Sequence, residues 1–505
     1  MLSKERPSTI DSYIHWVLIF AVAIIPLIIR AKVVVFAAPD FINNIADTGL
    51  KPDIFSYYKW VFLMICTSVA LILFIAKIIA GHRIKNSYIN IPLLITAVII
   101  LVSALSADYK SIAVKGMYNR FEGAITYLCY LLLFFIAANT TVNKQLLKRI
   151  TIAIGIFVGV NVILSLSNFW GYDVVSSFIA SNIVLPANLE NLGKGVIMGT
   201  LSHPNYLSGI AGTCTVMFMY LSAISDSAKN KISCGLFSII SFALLLSSLS
   251  SSGFVSLALV LPVCLFFLLF LAKNKVKAFV TVGVIFVGFS LIFTLMNNHN
   301  ERVSSETFKF FDNLYGAVQE QVSFEQRPFD LIKFAEASSM TALDEFDLPE
   351  PAFSSGTGRT YIWQKTLELM LQKPFVGYGF DTITYYFPQN DKYKISGIFS
   401  YNTLVDKPHN MYLGIGFGIG IIGLCSLLVL FVTHIFNTCI NIVKKRSDII
   451  FFPALFLFYI TFLVQALFND SVIGTSVIFW IVAGIGVSLN NQIKDRHVVN
   501  DTGKE

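Results

Sequence analysis

The sequence predicts an all-α, polytopic membrane protein with about twelve transmembrane helices and one large, partly helical extracytoplasmic loop. The first observation is composition: of 505 residues, 55% are hydrophobic and 13% charged, whereas a soluble domain carries roughly 25% charged residues. The second is a mean hydropathy of +0.70, which comes from long apolar segments repeated along the chain. The third is a single long interruption of these segments, the polar stretch at 297–407.

Each apolar segment is predicted to be a spanning helix because crossing a bilayer takes about 20 apolar residues. The first segment ends near Arg30 without a convincing cleavage site, so we expect a retained span rather than a signal peptide. The predicted spans are 13–29, 58–80, 88–106, 121–139, 150–168, 204–224, 232–249, 253–272, 278–296, 410–433, 450–468 and 472–489.

Basic residues in the short loops predict the orientation, because Lys and Arg concentrate in cytoplasmic loops. They all fall on one side if both termini are cytoplasmic, and the segment 297–407 then faces outward. We therefore divide the chain into helices 1–9 within 1–296, the outer loop 297–407, helices 10–12 within 408–490, and a cytoplasmic tail at 491–505. The basic residues are Arg83, Lys85, Lys144, Lys148, Arg149, Lys229, Lys231, Lys273, Lys275, Lys277, Lys444, Lys445 and Arg446.

Charge and cysteine usage argue against two classes of function. The net charge of +7 reflects the basic inner loops, and no basic face with interleaved aromatic residues is present, so nucleic acid is not an expected partner. The seven cysteines lie in spans or near the inner side and show no metal-ligand spacing with histidine. This pattern predicts neither disulfides nor a metal site.

Ionisable residues are almost absent from the middles of the predicted spans, where an ion-coupled transporter normally needs them. Lys59 and Lys77 lie near span ends, where a long side chain can reach the interface. The groups able to do chemistry lie instead at the outer ends of the spans or in the outer loop. They are Arg120, Glu122, Lys194, His203, Arg359, His409 and Asp470.

His409 lies in the segment KPHNMY at 407–412, at the predicted start of the tenth span. Pro408 suits the first helical position. The positive helix N-terminus disfavours imidazolium, so we expect a neutral ring able to accept a proton, next to N–H groups that can bind phosphate. A histidine that only caps the span at the interface is equally consistent with the spacing.

Arg359 lies on the first turn of a predicted outer helix at 357–373, with Thr357 as its N-cap and Pro374 and Gly377 at its end. A guanidinium binds phosphate through two parallel hydrogen bonds and keeps its charge. Taken alone, an ordinary surface arginine explains this position better.

Two further blocks carry candidate residues. Arg120 lies in GMYNRFEG at 116–123, where a contact with Glu122 or an interfacial role is as consistent as ligand binding. Lys194, His203 and Asn205 lie in a glycine-rich block that opens the sixth span, without the spacing of a nucleotide-binding loop. A tight turn into a membrane helix explains that block somewhat better than a binding site.

A group of aromatic residues in the outer loop has two interpretations. Such rings can stack on sugars, or they can belong to the interfacial aromatic belt, which we slightly favour. The residues are Tyr385, Tyr386, Phe387 and Tyr401.

Together these blocks resemble the O-antigen ligase and O-antigen polymerase superfamily of bacterial membrane glycosyltransferases. The resemblance rests on GTLSHPNYLSG at 199–209, on GRTYIW and KPFVGYGF at 358–380, and on PHNMYLGIGFGIGIIGLCSLL at 408–428. The last is the most specific, and YNRFEG at 118–123 is similar to members from Gram-positive bacteria. The first hundred residues are generic membrane sequence.

The resemblance implies a GT-C-like enzyme at the outer face of the cytoplasmic membrane that uses no metal or cofactor. Its donor would be a glycan on undecaprenyl diphosphate, and its acceptor a glycan, a lipid or a protein. Carried over by position, Arg359 would bind diphosphate and His409 would assist transfer. The implied substrate-binding residues are Arg120, Lys194, His203, Asn205, Asn410 and Tyr412.

This sequence departs from the family at one place. Many members have an arginine in a Ser-Arg-Gly turn between two central spans, whereas residues 249–254 read LSSSGF here. Another cation, Arg120 or Lys194, would then have to supply that contact. Two other functions remain open at this point: a flippase or transporter of the lipid-linked sugar, and a non-catalytic scaffold of an envelope complex.

Overall fold

The structure, a computed structural model, describes most of the chain. Lys194, Thr357, Tyr401 and most of the predicted outer loop lie outside the described residues. The described ranges are 7–37, 39, 49–172, 174, 199–308, 358–391, 394, 404–444 and 450–502, without the side chains of 496–502.

Helices make up most of the described chain. Their bounds are α1 Thr9–Ile24, α2 Tyr57–Ile79, α3 Asn90–Ser106, α4 Lys110–Lys115, α5 Ala124–Ala138, α6 Lys144–Phe169, α7 Pro204–Ile224, α8 Ala228–Ser247, α9 Ser252–Leu271, α10 Lys275–His299, α11 Arg359–Gln372, α12 Ile383–Tyr386, α13 Met411–Val443, α14 Phe451–Gln465 and α15 Ile473–Thr502. A 3-10 turn, Ile25–Leu27, extends α1.

Nine helices in the described ranges are long and apolar enough to cross a membrane, which confirms a polytopic membrane protein. They are α1 with its 3-10 turn, α2, α6, α7, α8, α9, α10, α13 and α15 up to Asp495. The predicted count of about twelve includes α3, α5 and α14, which are apolar but have only 17, 15 and 15 residues. These three fall short of the roughly 20 residues of a full span.

A small β-hairpin corrects the all-α prediction. Strands β1 Lys32–Phe36 and β2 Gly49–Asp53 pair antiparallel, with Lys32 opposite Asp53. The KVVVF sequence of β1 favours a strand because its valines are β-branched. At the end of β2, the Asp53 carboxylate accepts hydrogen bonds from the backbone N–H groups of Ser56, Tyr57 and Asn119, each at 2.8 Å. The hairpin therefore fixes both the start of α2 and the turn that carries Arg120.

The centre of the bundle is formed by α7 and α15, whose spanning windows are 94% and 100% buried. Helices α2, α9 and α10 bury less than half of theirs, so their exposed apolar faces are suited to lipid. Since α7 and α15 both begin at the same end of the bundle, the residues just before them are held by the best-packed part of the protein.

A break in α13 connects this helix to α11. Gly420 has φ 73° and ψ 176°, which interrupts the helical hydrogen bonds. The segment after α11 enters the break: Ile421 N–H donates to Pro374 O at 2.6 Å, and Gly379 N–H donates to Gly418 O at 2.9 Å. A Cβ at position 420 would lie 2.6 Å from the Phe375 backbone, so only glycine fits. The inserted segment satisfies the freed backbone groups, as a broken membrane helix requires.

Two lysines expected at the lipid boundary are buried instead, which corrects the snorkelling prediction. Lys77 donates to the Asp11 carboxylate at 2.7 Å, and Lys59 donates to the carbonyls of Phe55 and Thr200 at 2.8 and 2.7 Å. Each lysine joins separate parts of the chain, because a buried ammonium needs partners. His434, within α13, is also buried and contacts the Tyr88 hydroxyl at 2.9 Å.

Candidate functional site

Charged side chains from six segments meet at one end of the helix bundle. The segments are the turn before α5, the residue before α7, the start of α11, the turn before α12, the residues before α13, and the loop between α14 and α15. We call the group the charged cluster; it consists of Arg120, His203, Arg359, Asp381, Asp406, Lys407, His409 and Asp470.

His409 lies just outside α13 rather than on its first turn. The helix begins at Met411, and Asn410 is the N-cap, whose side chain accepts from the N–H groups of Tyr412 and Leu413 at 3.0 and 3.1 Å. His409 itself has φ 53°, an unfavourable left-handed conformation for a residue with a Cβ. The imidazole contacts Asp470, in the loop after α14.

The imidazole is paired with a buried carboxylate. Nδ1 of His409 lies 3.4 Å from Oδ2 of Asp470, whose side chain is 3% exposed. Burial acts to raise the pKa of Asp470, but the hydrogen bond and charge of His409, with the charges of Arg120 and Lys407, lower it overall. An ionised Asp470 favours the tautomer with the proton on Nδ1, which leaves Nε2 as the nitrogen that accepts a proton.

Arg359 is the first residue of α11, after Gly358 in the left-handed conformation at φ 73°. Burial lowers the pKa of Arg359, while the nearby Asp470 and Tyr206 oppose that shift. Among the described residues Arg359 has no direct ion-pair partner. The indole N–H of Trp363, one turn further along α11, donates to Pro408 O at 2.7 Å. This bond ties the helix of Arg359 to the segment of His409.

His203 lies on the other side of His409, with ring centroids 6.5 Å apart. It caps α7, since its Nδ1 accepts from Asn205 N–H at 3.1 Å and Pro204 follows as the first helical residue. Burial lowers the pKa of His203 to about 4, and the charges of Lys407, His409 and Arg359 act in the same direction. The ring of His203 is therefore neutral and lies close to Lys407, His409 and Arg359.

Arg120 makes its polar contacts with other residues of the protein. Its Nε lies 2.8 Å from Oδ1 of Asp381, an ion pair whose geometry falls short of a hydrogen bond, and its NH1 donates to Asp406 O at 3.4 Å. Burial disfavours the charge, yet the carboxylates of Asp381 and Asp470 raise the pKa of Arg120. The structure thus pairs Arg120 with Asp381 and not with Glu122, which accepts instead from Tyr130 and Ser471 at 2.7 Å each.

Lys407 supplies a cation that sequence reasoning did not select. Its ammonium contacts Asp406 at 3.2 Å, and its side chain is 16% exposed. Burial would lower the pKa of Lys407, but Asp406 and Tyr206 raise it, so the side chain remains charged. Its only sequence signal was its place two residues before His409. Asp381 and Asp406 gave no such signal, and Asp470 was a candidate without an assigned role.

The charges in the cluster balance before the histidines are counted. Three cations, Arg120, Lys407 and Arg359, face three carboxylates. Arg120 pairs with Asp381, Lys407 pairs with Asp406, and Asp470 contacts His409. Arg359 is the cation left for an added anion. No group of three His, Cys, Asp or Glu suited to a metal ion occurs in the described ranges.

Two other predicted site residues, Tyr412 and Asn205, form hydrogen bonds within the protein. Tyr412 OH donates to Leu463 O at 2.8 Å, and Asn205 Oδ1 accepts from the Ser250 hydroxyl at 2.8 Å. The segment that lacks the expected arginine, 249–254, therefore lies beside Asn205 at the same end of the bundle. Lys194 lies outside the described residues.

Comparison with known proteins places a family domain over the centre of the chain. Residues 236–428 match the family model described as O-antigen ligase, Wzy_C. The match includes α11 with Arg359 and the segment of His409, whereas the blocks at 118–123 and 199–209 lie outside it. This confirms the resemblance for the matched region, whose family carries out membrane glycan transfer of the ligase and polymerase type. A search of the curated proteins finds no match.

Proposed function

We propose that this chain, whose residues 236–428 form an O-antigen ligase family domain, transfers a glycan from a polyprenyl-diphosphate carrier to an acceptor hydroxyl. The observation that carries the proposal is the meeting of a carboxylate-paired His409 with Arg359, which has no direct ion pair among the described residues. A proton acceptor and an anion binder in one cluster suit a reaction in which a hydroxyl attacks and a diphosphate leaves.

In the proposed reaction, Nε2 of His409 takes the proton of the acceptor hydroxyl while its oxygen attacks the anomeric carbon of the donor. The bond between that carbon and the diphosphate oxygen breaks, and the electron pair leaves with the diphosphate lipid. The proton then passes from the imidazolium to the departing diphosphate or to water. Asp470 positions the imidazole and stabilises its charged form. General base assistance of this kind contributes roughly 10²–10⁴-fold.

Arg359 and Lys407 are proposed to bind the diphosphate. Both lie close enough to His203 for their charges to lower its pKa, as the charge of His409 also does, so both belong to the surroundings of the same two rings. Lys407 then takes the place of the arginine that the 249–254 segment lacks. Loss of one donor that stabilises developing negative charge costs roughly 10²–10³-fold in rate. Arg120, held by Asp381, has a positioning role, and His203 and Asn205 shape the floor of the cleft at the start of α7.

We place this cleft at the extracytoplasmic face, with α3, α5 and α14 completing twelve crossings. The basic short loops support this orientation, because the described ones lie at helix ends opposite to those that carry the charged cluster. Lys194 and the outer loop, together with Asn410 and Tyr412, remain candidates for donor or acceptor contacts. The acceptor is a glycan, a lipid or a protein.

Deletion of the gene followed by analysis of surface polysaccharide tests the function in the cell. Single repeat units in place of long chains identify a polymerase, and long chains that are made but not attached identify a ligase. An unchanged polysaccharide contradicts the proposal. A transporter is distinguished by reconstitution: it moves labelled lipid-linked glycan between leaflets without forming a new glycosidic bond. If the protein is a non-catalytic scaffold, a gene that carries His409→Ala restores the polysaccharide of the deletion strain as well as the parent gene does.

A further inference from the structure

A recess of about 420 Å³ opens beside the charged cluster, at the same end of the bundle. Its walls come from the turn between α3 and α4 and from the segment around and after α12. The residues that carry the argument are Tyr109, Thr384, Tyr385, Phe387, Asn390 and Asp391. Its described lining residues include no lysine or arginine, which separates them chemically from the charged cluster.

The aromatic wall is fixed by contacts within the protein. Tyr109 stacks on Tyr385 with centroids 4.6 Å apart and an angle of 30°, and it meets Tyr386 edge-on at 5.3 Å. The Tyr385 hydroxyl donates to Ala37 O at 2.6 Å, and the Tyr386 hydroxyl donates to Asp108 at 2.6 Å. These rings are therefore held in one orientation against the rim of a recess, an arrangement that a lipid-facing aromatic belt does not need.

The polar wall is equally fixed. Asp391 accepts from the Tyr361 hydroxyl at 2.7 Å and lies 3.8 Å from Lys365, both on α11. Gln389 is buried and bonds the backbone at both ends of its amide: it donates to Thr384 O at 3.0 Å and to Val405 O at 2.7 Å, and accepts from Val405 N–H at 3.0 Å. Gln389 thus shapes the wall, while the amide of the exposed Asn390 lies at its rim.

The recess is connected rigidly to the charged cluster. Phe387 packs in one apolar cluster with Tyr361 and Ile362 of α11, the helix that begins at Arg359. Val405, held by Gln389, precedes His409 by four residues, a separation that spans at most about 14 Å. The wall of the recess and the reactive groups are therefore separated by a short distance that a chain-like ligand can bridge.

We propose that this recess binds a sugar residue of the glycan that takes part in the transfer, at least one unit away from the reacting one. The inference rests on the proposed function. Aromatic rings offer an apolar face with fixed geometry for the C–H face of a sugar. Amide and carboxylate groups provide both donors and acceptors for its hydroxyls. The described lining residues offer a carboxylate and no cation, which favours a neutral sugar over the diphosphate as the occupant.

Tyr385→Ala tests the proposal, with Tyr385→Phe and Tyr172→Ala as controls; Tyr172 is a 74% exposed tyrosine outside the recess. The assay measures transfer by purified protein in nanodiscs at varied glycan concentration. We expect Tyr385→Ala to raise KM at least tenfold with kcat nearly unchanged, Tyr385→Phe to stay within about threefold, and Tyr172→Ala to match the parent protein. Equal KM values for Tyr385→Ala and Tyr172→Ala overturn the proposal.

A binding measurement that does not depend on transfer tests the sugar-binding recess separately from the proposed function. Saturation-transfer NMR uses soluble oligosaccharides obtained by hydrolysis of the producing cell's surface polysaccharide. We expect signals with the parent protein that disappear with Tyr385→Ala and Asn390→Leu but persist with Tyr172→Ala. If the parent protein transfers the glycan but all variants give identical NMR signals, the proposal that the recess binds a sugar is wrong, and the proposed function stands. Absence of both transfer and binding in the parent protein contradicts the function and the recess together.

Discussion

Asp470→Asn is the change that isolates the role of the carboxylate beside His409. It keeps the shape of the side chain and removes its charge. Asp470 is 3% exposed and lies 3.4 Å from Nδ1 of His409, so we expect its main effect on the reaction to pass through the imidazole. An uncharged amide no longer stabilises the imidazolium that forms when the acceptor proton is taken, and it can select the wrong tautomer.

The size of the effect is bounded by the contribution of His409 itself. General base assistance amounts to roughly 10²–10⁴-fold, and a residue that acts through the base cannot exceed it. The separation of 3.4 Å is longer than in a strong charge-assisted hydrogen bond. We therefore expect the lower part of that range, a decrease in kcat of about 10²-fold. The double variant with His409→Ala should be no slower than His409→Ala alone, because the two residues act as one unit.

The assay is single-turnover transfer by purified protein in nanodiscs with a labelled lipid-linked glycan. Asp226→Asn is the matched control: its carboxylate lies in the loop after α7, at the other end of that helix, where it is 80% exposed and 4.0 Å from Lys273. Equal melting temperatures of Asp470→Asn and the parent protein show that the fold is kept. Parental kcat in Asp470→Asn, or losses that multiply in the double variant, would refute the reasoning.

Three further predictions concern separate parts of the site. Arg359→Ala should lower the transfer rate by roughly 10²–10³-fold. Arg359→Lys should recover only part of the lost rate. The control Arg302→Ala, at an exposed position, should have no effect in the same assay. Asp381→Ala should destabilise the protein by roughly 3–5 kcal/mol, since it leaves Arg120 buried without its ion pair; a melting temperature no lower than that of Asp406→Ala would contradict this. Because burial lowers the pKa of His203 to about 4, the unfolded chain binds a proton between pH 6.5 and 4 that the folded chain does not, so this residue reduces stability as pH falls through that window. His203→Asn keeps a side-chain cap. Its melting temperature should equal that of the parent protein at pH 8 and exceed it at pH 5. The same difference in melting temperature at both pH values would show that protonation of His203 is not the cause.

The membrane architecture could be predicted from the sequence because each span carries its own signal. Long apolar segments and basic short loops act locally, and nine of the predicted spans coincide with long apolar helices. The hairpin at 32–53 escaped prediction because five residues of KVVVF form a strand only when a partner is present. Lys59 and Lys77 were misplaced for a related reason: their carbonyl and carboxylate partners lie in other helices or loops.

The candidate site was predictable only in part. His409 and Arg359 stand in recognisable motifs, and that selected them before any geometry was known. The pairing of His409 with Asp470 joins residues on either side of α13 and α14, and no local pattern gives that proximity. Lys407 could not be selected from the sequence, since only the fold brings its charge and that of Arg359 close to the same histidine, His203.

The most direct test of the central claim is the stoichiometry of lipid release in a purified system. Protein in nanodiscs receives a glycan on undecaprenyl diphosphate, labelled in both the sugar and the lipid, together with an acceptor glycan. We predict one free undecaprenyl diphosphate for each new glycosidic bond, and loss of both products with His409→Ala. Free lipid without a new bond, or undiminished bond formation by His409→Ala, would contradict the account.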